Sequence, residues 1–302
     1  MNAGTVPEGV TEAETLAILG QACEAAGLNS DGARLLRLGS NAVYRLVPPV
    51  VARVAYANTD TEAARSTVEV ARWLQSVDYP AVRALALDQP VVIDGHPTTF
   101  WEALSDTGDE YATIDQAADV IARLHKLTPP KDLVLPPLDA FADADQRIAE
   151  SRWLTEDDRA WMTAELARLR AEYARLDFAL PQGVIHGDAN IGNVLRDYSG
   201  NPVVIDLDDF ATGPREWDLI QTAIYYDRFG WHTREEYETF VCAYGYDIMQ
   251  WPGYAVLADI REFVIVTWII LKAGENEHTA AEASKRLRAL RTGASRKDWD
   301  PF

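Results

Sequence analysis

Three oxygen-bearing side chains stand at spacings that suit metal-assisted chemistry: Asp188, Asn193 five residues later, and Asp206 thirteen residues after that amide. They lie in the runs His186-Gly187-Asp188-Ala189-Asn190-Ile191-Gly192-Asn193-Val194-Leu195 and Val203-Val204-Ile205-Asp206-Leu207-Asp208. An amide and a carboxylate are hard-oxygen donors of the kind Mg2+ prefers. A carboxylate ahead of them can orient a hydroxyl and take its proton. Asp188 is thus a candidate base, and Asn193 and Asp206 are candidate metal ligands. The competing reading is a set of polar residues capping loops around a hairpin. The agreement of residue types, two spacings and a strand context weighs against it. His186 is expected to be structural, holding the loop through its ring nitrogens.

The elements that must position these groups are legible in outline. Thr11-Glu12-Ala13-Glu14 has the pattern of a capping box, and Gly27 is placed to end that helix. Three β-type runs follow, Arg34 to Leu38, Ala42 to Val47 and Val50 to Tyr56, separated by Gly39-Ser40-Asn41 and Pro48-Pro49. Ala64, Val68, Ala71 and Leu74 recur at helical spacing and predict a helix from Thr61 to Gln75. Val91 to Ile93 and Thr98 to Ala103 flank the turn signal Asp94-Gly95-His96-Pro97. Beyond Leu104 the pattern predicts long helices, Ile114 to Leu127 and Thr155 to Leu176, with a proline-rich connector, Thr128 to Pro137, between them. Gly183 to His186, Val194 to Arg196 and Pro202 to Leu207 read as short strands, the last two joined as a hairpin. Helices resume near Glu216 and run to about Leu290. The expectation is an α+β chain with a small antiparallel-sheet lobe carrying one inserted helix (residues 1–103) and a larger, mostly helical lobe (residues 104–302). A nucleotide-sized cleft is expected near residues 101–106.

Composition narrows the class of function. The 302 residues are 48% hydrophobic with 25% charged, as in an ordinary globular chain. A net charge of -19 disfavours nucleic-acid binding and is compatible with a cationic small substrate. The longest apolar run, Phe263 to Leu271, is too short to span a bilayer, so no membrane partner is expected. Met1 to Thr5 lacks the basic and apolar regions of a signal peptide, and the two cysteines suggest no disulfide framework. A cytoplasmic location is the resulting expectation, as a monomer or homodimer.

Together with Gly213-Pro214-Arg215-Glu216-Trp217-Asp218-Leu219, the two runs around Asp188 and Asp206 resemble the aminoglycoside phosphotransferase and choline-kinase-like family, which has a protein-kinase-like fold. The resemblance spans roughly Leu35 to Leu271, with its specific motifs between residues 186 and 219. It implies Asp188 as catalytic base and Asn193 and Asp206 as Mg2+ ligands, with Asp208 assisting a second metal or a bridging water. It also implies that Asp218 braces the catalytic loop. Leu38 to Arg45 looks like the nucleotide-covering hairpin, with Gly39, Ser40 and Asn41 nearest the phosphates. Arg53 stands where the family carries a phosphate-contacting lysine. Phe100 to Leu104 matches the interlobe hinge, where main-chain groups of Trp101 and Ala103 would face adenine. One departure is plain: the glutamate expected to pair with the phosphate-contacting cation falls at Thr67. The nearest acids are Glu62 and Glu69, and two residues along a helix turn a side chain by about 200°.

On this resemblance the chain is expected to be an O-phosphotransferase using ATP (GTP is not distinguished) and Mg2+ on a hydroxylated small molecule. An aminoglycoside or another antibiotic leads, which would make the function antibiotic resistance. The alternatives are a metabolic kinase for an amino alcohol, sugar or amino acid, and a non-catalytic nucleotide-binding module. Asp227, Asp259 and Glu262 lie on late helices where relatives place substrate-binding acids, and nearby aromatics suit a cationic ligand.

Overall fold

The computed structural model describes residues 11–47, 49–57, 59–105 and 110–301. The readings that rest on Met1 to Thr5, on Pro48 and on residue 106 lie outside them. Two compact units interleave along the chain. The first holds the residues up to Leu124, Thr128–Leu135 and Ile191–Phe210, and the second holds His125–Leu127, Pro136–Asn190 and the residues from Ala211 onward.

In the first unit, β1 (Arg34–Leu38), β2 (Asn41–Arg45), β3 (Val50–Ala55), β4 (Val91–Ile93) and β5 (His96–Glu102) form an antiparallel sheet of order β1-β2-β3-β5-β4. Alternation decides its buried face: Ala42, Tyr44, Ala52, Val54 and Phe100 pack on Ile18, Leu19, Ala22 and Cys23 of helix α1 (Glu12–Ala26). The Thr11 and Glu14 capping box starts α1, and Gly27, at φ 70°, ends it, as the sequence predicts. The β4–β5 turn is tighter than the turn signal suggests. Asp94 (φ 49°) and Gly95 (φ 80°) make it alone, while His96 and Pro97 already pair with Ile93 and Val92.

Helix α2 (Thr61–Ser76) buries Thr67, Val68, Val70, Ala71, Trp73 and Leu74. Helix α3 (Ile114–Leu124) stops one turn before the predicted end. The hairpin of β7 (Val194–Arg196) and β8 (Pro202–Val204) is tied into this unit through its backbone. Val82 N–H donates to the Val204 carbonyl at 2.8 Å, Val204 N–H to the Pro80 carbonyl at 2.8 Å, and Ala112 N–H to the Val194 carbonyl at 2.9 Å. The strand predicted to continue to Leu207 ends at Val204, because Asp206 turns left-handed (φ 58°, ψ 64°) and Leu207–Asp209 form a 3-10 turn. That conformation costs a non-glycine residue about 1 kcal/mol, and such strain clusters at functional sites.

In the second unit, β6 (Gln182–Ile185) pairs antiparallel with β9 (Ala211–Pro214). The β9 sequence, Ala-Thr-Gly-Pro, carries little strand signal. Its glycine is needed for packing, since a Cβ on Gly213 would lie 2.9 Å from Leu138 Cβ. The helices are α4 (Ala144–Glu150), α5 (Glu156–Tyr173), α6 (Glu216–Ile224), α7 (Arg234–Tyr244), α8 (Tyr254–Lys272) and α9 (Glu277–Thr292). Apolar α8 is the axis on which α4, α5, α6 and α9 pack. The short, polar α4 has too little periodicity to stand out from sequence. After α6 the chain makes a π-helical turn, Tyr225–Phe229, closed by Gly230 at φ 69°. No described helix is long and apolar enough to cross a membrane.

Candidate active site

The loop after β6 is pinned from α6. Asp218, fully buried in the first turn of that helix, accepts from His186 N–H at 2.7 Å and from Gly187 N–H at 2.9 Å. Its carboxylate also meets His125 Nε2 at 3.0 Å, and Trp217 Nε1 donates to the Gly187 carbonyl at 2.8 Å. Gly187 takes φ 86°, a turn a side chain would resist. His186 Nδ1 accepts the Asp188 N–H at 3.3 Å, which fixes the proton on the other ring nitrogen and gives this histidine a structural task.

Asp188 emerges from this loop only 7% exposed. Arg261 of α8 donates through Nη2 to Asp188 Oδ1 at 2.5 Å and to Gln221 Oε1 at 2.5 Å, and its guanidinium lies 5.0 Å from the Trp217 ring centre. Gln221 in turn donates to Tyr225 Oη at 2.9 Å. Burial of a carboxylate opposes ionisation, and an adjoining guanidinium favours it. Sequence reasoning missed Arg261 and Gln221. The available signal was an arginine inside the apolar α8 run, since a buried arginine requires an anionic partner.

The first unit carries the other expected groups. Asn193 closes a 3-10 turn, Ile191–Asn193, and its carbonyl accepts Ile205 N–H at 3.0 Å, so Asn193 and Asp206 lie near one another across the hairpin. Asp206 Oδ1 is 3.8 Å from Arg53 Nη2. Asp208, expected as an auxiliary metal residue, is engaged through both oxygens: by Arg53 Nη1 at 3.3 Å and Thr67 Oγ1 at 3.0 Å on Oδ1, and by Arg53 Nη2 on Oδ2. Burial would lower the Arg53 pKa, but Asp208 and Asp206 raise it further, so this cation stays charged. Neither Glu62 nor Glu69 supports it: Glu62 pairs with Arg65 at 3.4 Å, and Glu69 faces solvent.

A divalent cation fits these donors on chemical grounds. Among the described residues no group of three or more His, Cys, Asp or Glu could hold a metal unaided. Asn193 and Asp206 offer the one or two hard-oxygen ligands that Mg2+ takes from protein when phosphates and water complete its shell.

The residues expected from the sequence to face a nucleotide are placed as follows. Tyr56 Oη donates to the Gly39 carbonyl at 2.8 Å, Gly39 N–H bonds the Asn41 carbonyl at 3.1 Å, and Ser40 forms the bend between. Trp101 sits in β5 opposite Val51, its indole buried and bonded to Thr99 Oγ1 at 2.9 Å. Ala103 N–H donates to the Pro49 carbonyl at 3.3 Å.

Two of the three acids expected to bind substrate are matched by arginines. Arg228 Nη1 contacts Asp259 at 2.7 Å and Glu262 at 3.1 Å, and Arg296 Nε contacts Glu262 at 3.2 Å. Burial pushes the fully buried Glu262 carboxyl upward, and the two arginines only partly counter it. Asp227 accepts from Tyr254 Oη at 2.9 Å.

A profile of the phosphotransferase enzyme family matches residues 33–260. Among solved structures, the chain is similar to a microcompartment-associated aminopropanol kinase (18% identity, 91% of this chain and 95% of that one covered, TM-score 0.72). It is also similar to the amicoumacin kinase hAmiN in complex with AMP-PNP, Ca2+ and Ami (12% identity, 96% and 98% covered, TM-score 0.74). A third is the aminoglycoside phosphotransferase APH(3'')-Id from Streptomyces rimosus (20% identity, 86% and 100% covered, TM-score 0.60). A comparison with curated protein sequences returns no match. The fold is therefore the protein-kinase-like α+β fold expected from the sequence.

Proposed function

The chain belongs to the phosphotransferase enzyme family and is a small-molecule kinase with an alcohol acceptor, and on that premise we propose that ATP and Mg2+ are its cosubstrates and Asp188 its catalytic base. The observation that carries this reading is the Asp188 carboxylate, buried, ion-paired and set on a loop pinned at two backbone amides. Such fixity suits a group that must orient one hydroxyl and accept its proton late in an in-line transfer. Arg261 keeps the carboxylate anionic and stops it rotating away. Asn193 and Asp206 would hold Mg2+, which when bound neutralises charge on the phosphates. Arg53 supplies a further fixed positive charge toward those phosphates, and Gly39, Ser40, Asn41, Trp101 and Ala103 would line the nucleotide.

For the acceptor, an aminoglycoside or another antibiotic is one class, supported by relatives whose names carry such activity. One observation favours the other class, a metabolic alcohol. Asp259 and Glu262 are already neutralised by Arg228 and Arg296, so a polycation finds fewer anionic partners here than the sequence implies. A non-catalytic module loses its main support, because Arg53 does have a carboxylate partner.

The test is a coupled nucleotide-consumption screen over aminoglycosides, peptide and nucleoside antibiotics, choline, amino alcohols, sugars and hydroxy amino acids. Mass spectrometry of a hit should show one added phosphate. Binding of MgATP without transfer to any alcohol in the panel would move the protein to the binding-module class.

A further inference from the structure

We infer that Asp208 and Thr67 form the device that positions Arg53, with the carboxylate supplied from the turn after Asp206 instead of from α2. This rests on the phosphotransferase reading above. Position 67 is where a glutamate would be expected to steady the phosphate-contacting cation, and a threonine occupies it. Its neighbours do not compensate, since Glu62 is paired with Arg65 and Glu69 is exposed.

The geometry shows where the charge has gone. Arg53 presents both terminal nitrogens to the two oxygens of Asp208, with Nη1 3.3 Å from Oδ1 and Nη2 on Oδ2. A planar fork on a carboxylate fixes the plane and direction of the guanidinium, which a single contact does not. Thr67 Oγ1 lies 3.0 Å from Asp208 Oδ1 and 3.1 Å from the Ala63 carbonyl. The helix therefore still steers the pair, through a hydroxyl. Asp208 sits in the 3-10 turn Leu207–Asp209, which packs against α2, so carboxylate, hydroxyl and guanidinium come from three separate elements of one compact unit. Asp206 Oδ1 stands 3.8 Å from Arg53 Nη2, a looser contact than the two-pronged one that Asp208 makes. The two aspartates divide the work: Asp206 as ligand, Asp208 as positioning residue. An arginine at position 53 suits this arrangement better than a lysine, because only a guanidinium can be held through two parallel contacts.

The experiment relocates the carboxylate. Binding of Mg2+ with a non-hydrolysable ATP analogue is measured by calorimetry for the wild type, Asp208→Ala, Thr67→Glu and the double variant. Asp208→Ala should lose roughly tenfold in affinity, the size of effect that about 1.4 kcal/mol represents. The double variant should recover to within about threefold of wild type, because the longer side chain from α2 enters the space vacated by Asp208 and again meets Arg53. An unrecovered double variant overturns the inference, because the carboxylate would then be needed at position 208 itself. So does Asp208→Ala binding as tightly as wild type, which would mean that Asp208 only occupies Arg53 until phosphates arrive. Should Asp208→Ala fail to fold by circular dichroism, Asp208→Asn keeps the volume and one acceptor oxygen, and a loss of affinity is expected there too. Absence of binding by the wild type would instead defeat the phosphotransferase reading, so the two failures are distinct.

Discussion

Asp188 lies 2.5 Å from the Arg261 guanidinium, and in the proposed role of base that pairing would trade base strength for a fixed orientation and a favoured ionised form. In-line phosphoryl transfer needs the second property more, because the hydroxyl proton leaves late and positioning dominates the barrier. Replacing Asp188 by Asn should lower turnover by about 10²–10⁴-fold, the usual range for loss of a positioned acid or base. MgATP affinity, measured by calorimetry, should be retained. Replacing Arg261 by Met removes the charge that favours the ionised carboxylate, so the Asp188 pKa must rise. The expected result is an acid limb of kcat/KM displaced to higher pH, read from a pH–rate profile. An unmoved limb would show that another group titrates there.

At the scale of the element, the first turn of α6 acts as a clamp. Asp218 gathers two backbone amides and an imidazole nitrogen on one buried carboxylate, so the loop after β6 and the helix start are held as one piece. Asp218→Ala leaves those donors buried without an acceptor and should cost about 3 kcal/mol, measurable as a shift in the urea midpoint. Burial would raise this carboxyl, but the His125 hydrogen bond and the His186 N–H, among other contacts, hold its pKa below the ordinary value. A depressed folded-state pKa contributes stability that is present above the unfolded value of about 3.9 and is lost as pH falls through the folded one. Wild type should therefore lose more stability than Asp218→Asn between pH 5 and the acid region, scored by urea midpoints at each pH. A parallel decline in the two proteins would count against this account.

For the whole molecule, the net charge of -19 bears on how ligands arrive. An anionic nucleotide approaches an acidic protein against its field, while a cationic acceptor is drawn in. Raising ionic strength from about 0.01 M to 0.15 M shortens the Debye length from roughly 30 Å to 8 Å. Association of MgATP should quicken with added salt, and association of an amine-bearing acceptor should slow, as stopped-flow measurements would show. Bound nucleotide should also stabilise the fold by mass action, by about 2.7 kcal/mol at a hundredfold excess over Kd. This gain in melting temperature should shrink when EDTA replaces Mg2+. Indifference to EDTA would place the cation outside the nucleotide site.

The sequence by itself picked out the candidate side chains for the proposed chemistry. Asp188, Asn193 and Asp206 are legible because their types and short spacings lie within one loop-and-hairpin stretch. The α1 capping box, Gly27, the sheet strands and most helices are legible because caps, alternation and helical period are local signals. Residue partners far apart along the chain were not legible. Arg261 meets Asp188 from 73 residues away, and Arg53 meets Asp208 from 155 residues away. Asp259 and Glu262 read as free acids until Arg228 and Arg296 are seen beside them. Such pairings depend on the rotation and register at which elements pack, where one residue turns a helical side chain by about 100°. Local pattern announces the element but leaves that rotation open, and only burial of the assembled core settles it.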